Sequence, residues 1–452
     1  MKKNTLQIKM GFLLIISLGI SAGCSRTSSE KPQLKAAAAA VNIEMSDSIH
    51  KDMLLTLAYP KDDEKVPVRA QAIVISDGKT RVCMGSCDVT TLNRRILDEI
   101  GHEVDSIYGI PFNNIMFGAT HNHSVSHINN SAIKKAIMEA IGQANEKLNN
   151  AGDMDCYFAL GDATIGQNSR LIMEDSSILW VPTLYKYGYY RPTGPYDPQL
   201  PVLAFKDQQG KLDAILFNHS THNIDAPTNR VLSPGFYGTA SQEIEKELGG
   251  TVVFLPGAFG STHVFDDCPN SERVFRITDG INKAYAKTEK RDINRLISVK
   301  KEFEFTIRTF NEEEQHKAVS DYCNRWLKES IFWHMDPEPV IQSFKNGRSD
   351  IAALQGKTQK SWIQVILVGD IAFVGVPGEL FGELGMEIKR RSPFRYTYVV
   401  GIANDYIGYV PDDEAFDLGG YQTWATRSYS ERGTGELIVN QAVEILDSLF
   451  SK

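Results

Sequence analysis

Three histidines fall within a few residues of one another in "MFGATHNHSVSH" (Met116–His127), directly after an apolar run. On an extended segment, residues two apart face the same side, so His121 and His123 can turn both imidazoles toward one site. Imidazoles placed this way hold a divalent cation or move a proton. A polar turn of solvated histidines has the same letters. A second pair, His219 and His222 in "FNHSTHN", closes another apolar run, "DAILF". Their odd spacing sends them to opposite faces of a continuing strand, so the pattern offers one ligand rather than two. Glu379 follows the Pro-Gly of "VGVPGELFGEL", a place that also suits a helix-start glutamate. Tyr406, Tyr409 and Tyr421 crowd "GIANDYIGYVPDDEAFDLGGYQTW", where tyrosines near turns commonly serve packing. A two-metal His-x-His-x-Asp-His site is excluded, because Val125 and Ser126 occupy the last two positions and His127 comes one step late.

The elements that must position these groups alternate between strand and helix. "VRAQAIVISDGKTRVCMGSCDV" reads as two strands about the turn Asp77-Gly78. "TTLNRRILDEIGHEV" is helical, with Leu92, Ile96 and Ile100 on one face. "NNIMFGATH" is a strand, and "SAIKKAIMEAIGQANEKL" an amphipathic helix with Ile133, Ile137, Ile141 and Ala144 along one side. "KLDAILFNHSTH", "GTVVFLPGAFG" and "WIQVILVGDIAFVGVPGE" read as strands. "GTASQEIEKEL" and "GELIVNQAVEILDSLF" read as helices. The alternation predicts an α/β or mixed α+β domain with helices packed on mixed sheets. His121 and His123 then lie where a strand ends, the usual ligand position of such folds.

The 452 residues and ordinary apolar and charged fractions describe a globular chain, and no internal repeat is visible. A net charge of −8 argues against nucleic acid as a partner. The N-terminus has the anatomy of a targeting segment: Lys2 and Lys3, an apolar run over Met10–Ile20, then "SAG" and Cys24. The expectation is a signal peptide over 1–23 and a lipidated Cys24. Ser21 stands where such sites usually carry leucine, and a plain secretory signal is the other possibility. The location expected is the bacterial cell envelope, lipid-anchored and outward-facing or periplasmic, or otherwise secreted. "SRTSSEKPQLKAAAAA" lacks an apolar period and reads as a tether over 24–40, leaving 41–452 as the catalytic domain. Beyond Cys24 five cysteines remain, an odd number, so no full disulfide framework is expected; Cys83 and Cys87 read as packed core.

Taken together, "ATHNHS", "FNHSTH", "GVPGE" and "NDYIGYVPDDEAFDLGGY" resemble the motifs of the neutral (non-lysosomal) ceramidase family in order and approximate spacing. The early "AAAAAVNI" also looks like that family's first strand. The resemblance covers roughly 37 to 450 and implies the family's catalytic domain, with one zinc ion held by His121, His222, Glu379 and Tyr409. It implies His123 as the acid/base, Tyr421 as a donor to the developing oxyanion and Arg170 of "GQNSR" as an arginine near the scissile bond. Such a ligand set leaves a coordination position open, and zinc lowers the pKa of a bound water to roughly 7.

The chain departs from the family where an active-site serine is expected. In "GAFGSTHVFDD" His263 falls at that place, as a further acid/base group, a substrate contact or a neutral remnant of the site. The sequence also closes soon after Tyr409, without room for the C-terminal β-sandwich of larger members, which implies a distant bacterial relative. The aromatic stretch "LWVPTLYKYGYYRPTGPYDP", with Trp180, Tyr185, Tyr187, Tyr189, Tyr190 and Tyr196, suits sugar faces as well as lipid chains, and a tyrosine-rich loop packed on the domain has the same letters. Three readings follow: a zinc-dependent hydrolase of an N-acyl amide, a glycan-active deacylase or glycosidase on the same scaffold, and a surface lipoprotein that binds a small lipid or glycan without turnover.

Overall fold

A computed structural model describes residues 33–44, 66–125, 128–180, 189–224, 233–265, 267–327 and 336–451. The signal segment, Cys24, His127, Tyr185 and Tyr187 lie outside the described residues. Three mixed sheets share one core. The first runs in the order Lys35–Asn42, Arg69–Ser76, Arg81–Cys87, Ile115–Ala119. The second runs Thr251–Pro256, Leu212–His219, Gln199–Asp207, Met154–Asp162, Glu289–Arg291. The third runs Leu296–Thr306, Thr358–Val368, Ile371–Gly375, Tyr396–Val400.

The inner faces of the sheets meet in a cluster that includes Ile73 and Met84 of the first, Leu216 and Val253 of the second, and Ile366 and Phe373 of the third. Helices cover the outer faces. Asn130–Asn150 buries Ile133, Ile137, Ile141 and Ala144 against the first sheet, the stripe its periodicity predicts. Gly235–Leu248 and Asn270–Tyr285 cover the second sheet, and Gly382–Arg391 and Thr434–Phe450 the third. The described residues from Leu34 on form one compact unit, mixed α+β as the alternation predicts.

The tether boundary is corrected by the first strand. Lys35–Asn42 pairs antiparallel with Arg69–Ser76 along its whole length. Ala37 and Ala39 face the helix Asn130–Asn150, while Ala36 and Ala38 face the shared core. Both faces are apolar, so the alternation that marks a half-exposed strand is absent, and the alanines read as low complexity. The five described cysteines are buried and unpaired.

Each sheet contains one parallel pair: Arg81–Cys87 with Ile115–Ala119, Leu212–His219 with Thr251–Pro256, and Ile371–Gly375 with Tyr396–Val400. The chain leaves the C-terminal ends of all three pairs into the same region. Main-chain bonds tie the exits together, among them Asn404 N–H to Phe117 O, Gly257 N–H to His219 O and Gly401 N–H to Pro256 O. Open sheets place ligands beyond such ends.

Candidate metal centre

His121 lies two residues past the end of Ile115–Ala119, with φ 55°, in the left-handed region. The convergence of the two imidazoles therefore comes from a left-handed residue after the strand, not from strand alternation. That conformation costs a residue with a side chain of the order of 1 kcal/mol or more and is held here by surrounding bonds. Thr120 N–H donates to Cys87 O, and His123 N–H to Asn223 O. The result sets His121 Nε2 3.1 Å from His123 Nε2.

Leu212–His219 ends before His222, so the two histidines of "FNHSTH" part company. His219 turns inward, bonded to the Tyr237 hydroxyl at 2.5 Å and the Ala163 carbonyl at 2.7 Å. Burial lowers its pKa to about 4, so it is a neutral core group. His222, in the irregular segment, faces His121 with ring centroids 4.9 Å apart. As the odd spacing predicts, one of the two enters the site.

Glu379 and Tyr409 arrive on a short parallel pair, Glu379–Leu380 with Tyr409–Val410, in which they stand directly opposite one another. Glu379 is a strand residue here rather than the start of a helix. The ladder places a carboxylate and a phenol side by side. Glu379 Oε2 lies 3.1 Å from His222 Nε2 and 3.4 Å from His121 Nε2. The Tyr409 hydroxyl is 3.1 Å from His222 Nε2. Close approach of the Phe259 loop completes the wall: a Cβ on Gly260 would stand 2.1 Å from Glu379 O.

The protonation states follow from the partners. Nδ1 of His121 meets Thr90 O at 2.9 Å, and Nδ1 of His222 meets Phe259 O at 3.0 Å. A carbonyl oxygen only accepts, so both Nδ1 atoms carry hydrogen and, in neutral rings, both Nε2 atoms are bare. Two lone pairs then face Glu379 Oε2, which is buried and accepts no hydrogen bond. Burial works against ionisation of Glu379, while His121 and His222, when protonated at Nε2 and therefore charged, hold its carboxyl well below the usual range. Burial and Glu379 push the Tyr409 hydroxyl upward. The other carboxylate oxygen accepts from the Tyr406 hydroxyl at 2.8 Å.

Bare nitrogens and an orphaned carboxylate oxygen converging on one point fit a cation. Ligands about 2.0–2.2 Å from a tetrahedral metal stand roughly 3.3–3.6 Å apart, close to the separations seen here. The Nδ1 anchors are the outer contacts that fix metal-binding histidines. The ligand nitrogens of His121, His123 and His222 all lie within 4.8 Å of one another, so three imidazoles are available to an ion. His123 differs from the other two: among the described residues its Nδ1 has no main-chain anchor, and its ring keeps an opening to solvent although protein crowds it. That crowding, with His121 and His222, holds its pKa well below the ordinary value.

The remaining expected residues surround this cluster. Tyr421 stands edge-on to Tyr409 at 6.2 Å and stacks on Trp180 at 4.2 Å. His263 is buried, its ring stacked 6.2 Å from His222, and burial lowers its pKa to about 3. Arg170 is placed differently from the expectation of a group at the scissile bond. Its guanidinium is buried and donates to Gly419 O at 2.6 Å, Ala415 O at 3.3 Å and Gln422 Oε1 at 3.2 Å. It clasps the loop that carries Tyr421, so these donors are spent on the protein. Phe259 and Arg427 carry no local signal of importance in the sequence. Phe259 stacks on His121 at 4.7 Å, and the Arg427 guanidinium lies 4.9 Å from the Tyr421 ring.

This fold is that of the neutral ceramidases. The neutral ceramidase of Pseudomonas aeruginosa matches with a TM-score of 0.63 and 17% identity over 93% of this chain and 75% of that one. A ceramidase complexed with C2 matches with a TM-score of 0.65 and 16% identity over 93% of this chain and 76% of that one. No protein-family model matches the sequence. No curated protein matches it.

Proposed function

We propose that the protein is a zinc-dependent hydrolase of an N-acyl amide. The observation that carries this reading is the convergence of His121, His222, Glu379 and Tyr409, with Nε2, Oε2 and hydroxyl atoms 3.1–3.4 Å apart and both Nδ1 atoms tied to carbonyl oxygens. Those four residues would hold the ion, and the ceramidase fold supports amide cleavage. When bound, the cation supplies polarisation of an amide carbonyl and acidification of a water. His123, at the solvent-open side of the cluster, accepts the proton of the attacking water at Nε2 and passes it to the leaving amine nitrogen. The Tyr421 hydroxyl donates to the carbonyl oxygen as charge develops there. Arg170 keeps Tyr421 in place by clasping Gly419 and Gln422. His263 packs behind His222 and excludes water from its ring.

The test pairs metal analysis of the purified protein with a substrate panel of N-acyl sphingoid bases, N-acyl amino acids and N-acetylated sugars. The expected result is one zinc per chain and chelator-sensitive release of a fatty acid. Full metal content and activity in both His121→Ala and His222→Ala would overturn the site. A glycan substrate is the second reading, favoured by the stack of Trp180 on Tyr421 beside the cluster, a platform of the kind that binds sugar faces. Deacetylation of the sugars with no fatty-acid release would select it, and binding without any turnover would make the protein a ligand-binding lipoprotein. We also propose anchoring in the cell envelope through lipidated Cys24, tested by loss of the acylated N-terminal peptide in Cys24→Ser.

A further inference from the structure

Arg427 has no place in the steps above, yet it is built into the same wall. Its carbonyl accepts from Tyr409 N–H at 2.9 Å, which binds it to the strand carrying a proposed ligand. Its guanidinium stands 4.9 Å from the Tyr421 ring and 5.0 Å from that of Phe344. The groups that feel its charge are the hydroxyls of Tyr421, Tyr409, Tyr406 and Tyr429. Two of these touch the cluster directly: Tyr409 at His222 Nε2 and Tyr406 at Glu379 Oε1. Its Nε is buried without an acceptor, and among the described residues no carboxylate pairs with it. Two buried arginines do have carboxylate partners, Arg69 with Glu245 at 2.7 Å and Arg348 with Glu312 at 2.8 Å, whereas Arg170 is satisfied by carbonyl and amide oxygens.

A guanidinium ringed by phenols and lacking an anion is costly to bury, and a ligand that brings the anion removes that cost. The charge of the whole site points the same way. Glu379 supplies the one negative group of the proposed ligand set, which a divalent cation over-neutralises, and Arg427 adds a further positive charge. Such a pocket draws in anionic ligands. A planar fork of N–H donors suits a carboxylate in particular.

We propose that Arg427 binds a carboxylate carried by the substrate beside the scissile amide, so that N-acyl amino acids, rather than N-acyl amino alcohols, are the preferred substrate class. This rests on the amide-hydrolase reading. In the reaction the water oxygen bonds to the acyl carbon, the C–N bond breaks, and the proton goes to nitrogen, which releases a fatty acid and a free amino acid.

The test compares N-lauroyl glycine with N-lauroyl ethanolamine on the zinc-loaded full chain of wild type, Arg427→Gln and Arg427→Lys. Wild type is expected to favour the glycine conjugate in kcat/KM by about tenfold or more, the scale of a close charge pair. The ratio collapses toward one in Arg427→Gln and recovers in part in Arg427→Lys, while metal content stays at the wild-type level in both. Calorimetric binding of the same two compounds to the metal-free chain gives a readout without turnover and is expected to show the same loss of preference. Equal loss for both compounds in Arg427→Gln, or no preference in wild type, overturns the proposal. If neither compound is cleaved but the binding preference follows Arg427, the amide-hydrolase reading fails and carboxylate recognition stands.

Discussion

Asp88 lies in the floor beneath the His121 loop and is the buried carboxyl whose replacement has the most definite consequence. Its Oδ2 accepts from Arg69 N–H at 2.9 Å and Gln71 Nε2 at 3.1 Å. Among the described residues Oδ1 and the nearby Thr120 hydroxyl have no hydrogen-bond partner of good geometry. Burial outweighs the help from Arg69 and Gln71 and lifts the carboxyl from 3.8 to about 6. The folded chain therefore binds this proton more tightly than the unfolded chain. Stability from that proton is complete below the unfolded value of 3.8 and is lost as pH rises through about 6. The gap amounts to about 3 kcal/mol, at roughly 1.4 kcal/mol for each tenfold. Asp88→Asn has no such titration. Urea unfolding of the metal-free wild type and Asp88→Asn at about pH 4 and about pH 7.5 isolates the effect, since other titrating groups cancel in the double difference. Because the unfolded carboxyl is already partly ionised at about pH 4, the variant is expected to gain about 2.4 kcal/mol on wild type between the two conditions. Parallel stabilities at both pH values would show that Asp88 titrates as an ordinary carboxylate and would refute the reasoning.

Other substitutions separate chemistry from support. Tyr421→Phe is expected to lower kcat about 10²–10³-fold with zinc content unchanged, the scale of one oxyanion donor, in steady-state assays of fatty-acid release. Arg170→Met leaves the Gly419 and Ala415 carbonyls and the Gln422 amide without their donor. It should cost about 3 kcal/mol or more in denaturant unfolding and lower kcat in parallel with Tyr421→Phe. Gly260→Ala drives a Cβ into the Glu379 carbonyl and is expected to weaken zinc affinity, read by competition with a chromogenic chelator, more than it weakens overall stability.

Much of the architecture is legible in local patterns. The helix stripe of Ile133, Ile137 and Ile141, the hairpin at Asp77-Gly78 and the strand "DAILF" all fold as their periodicities require. The alanine strand escapes the periodicity reading, because burial on two faces erases alternation, and only the family resemblance marks it as a strand. At the site, residue types point to His121 and to one histidine of "FNHSTH", but the means of convergence is not local. It depends on the left-handed turn at His121 and on three parallel pairs ending side by side. Arg170 shows the limit in the other direction. Its residue type suits an oxyanion, and only the path of Gly419–Gln422 across its guanidinium shows where its donors go. Arg427 belongs to no recognisable pattern, since its meaning lies in the way the fold gathers Tyr406, Tyr409, Tyr421 and Tyr429 about it and in a missing counter-ion.

Both imidazoles that face Glu379 are steered by main-chain oxygens, those of Thr90 and Phe259. A carbonyl is present whatever side chain its residue bears. The tautomers of both rings therefore follow from backbone path, while the Phe259 ring adds a stack that fixes the plane of His121. A comparison of letters passes over those two carbonyls where a comparison of shapes does not.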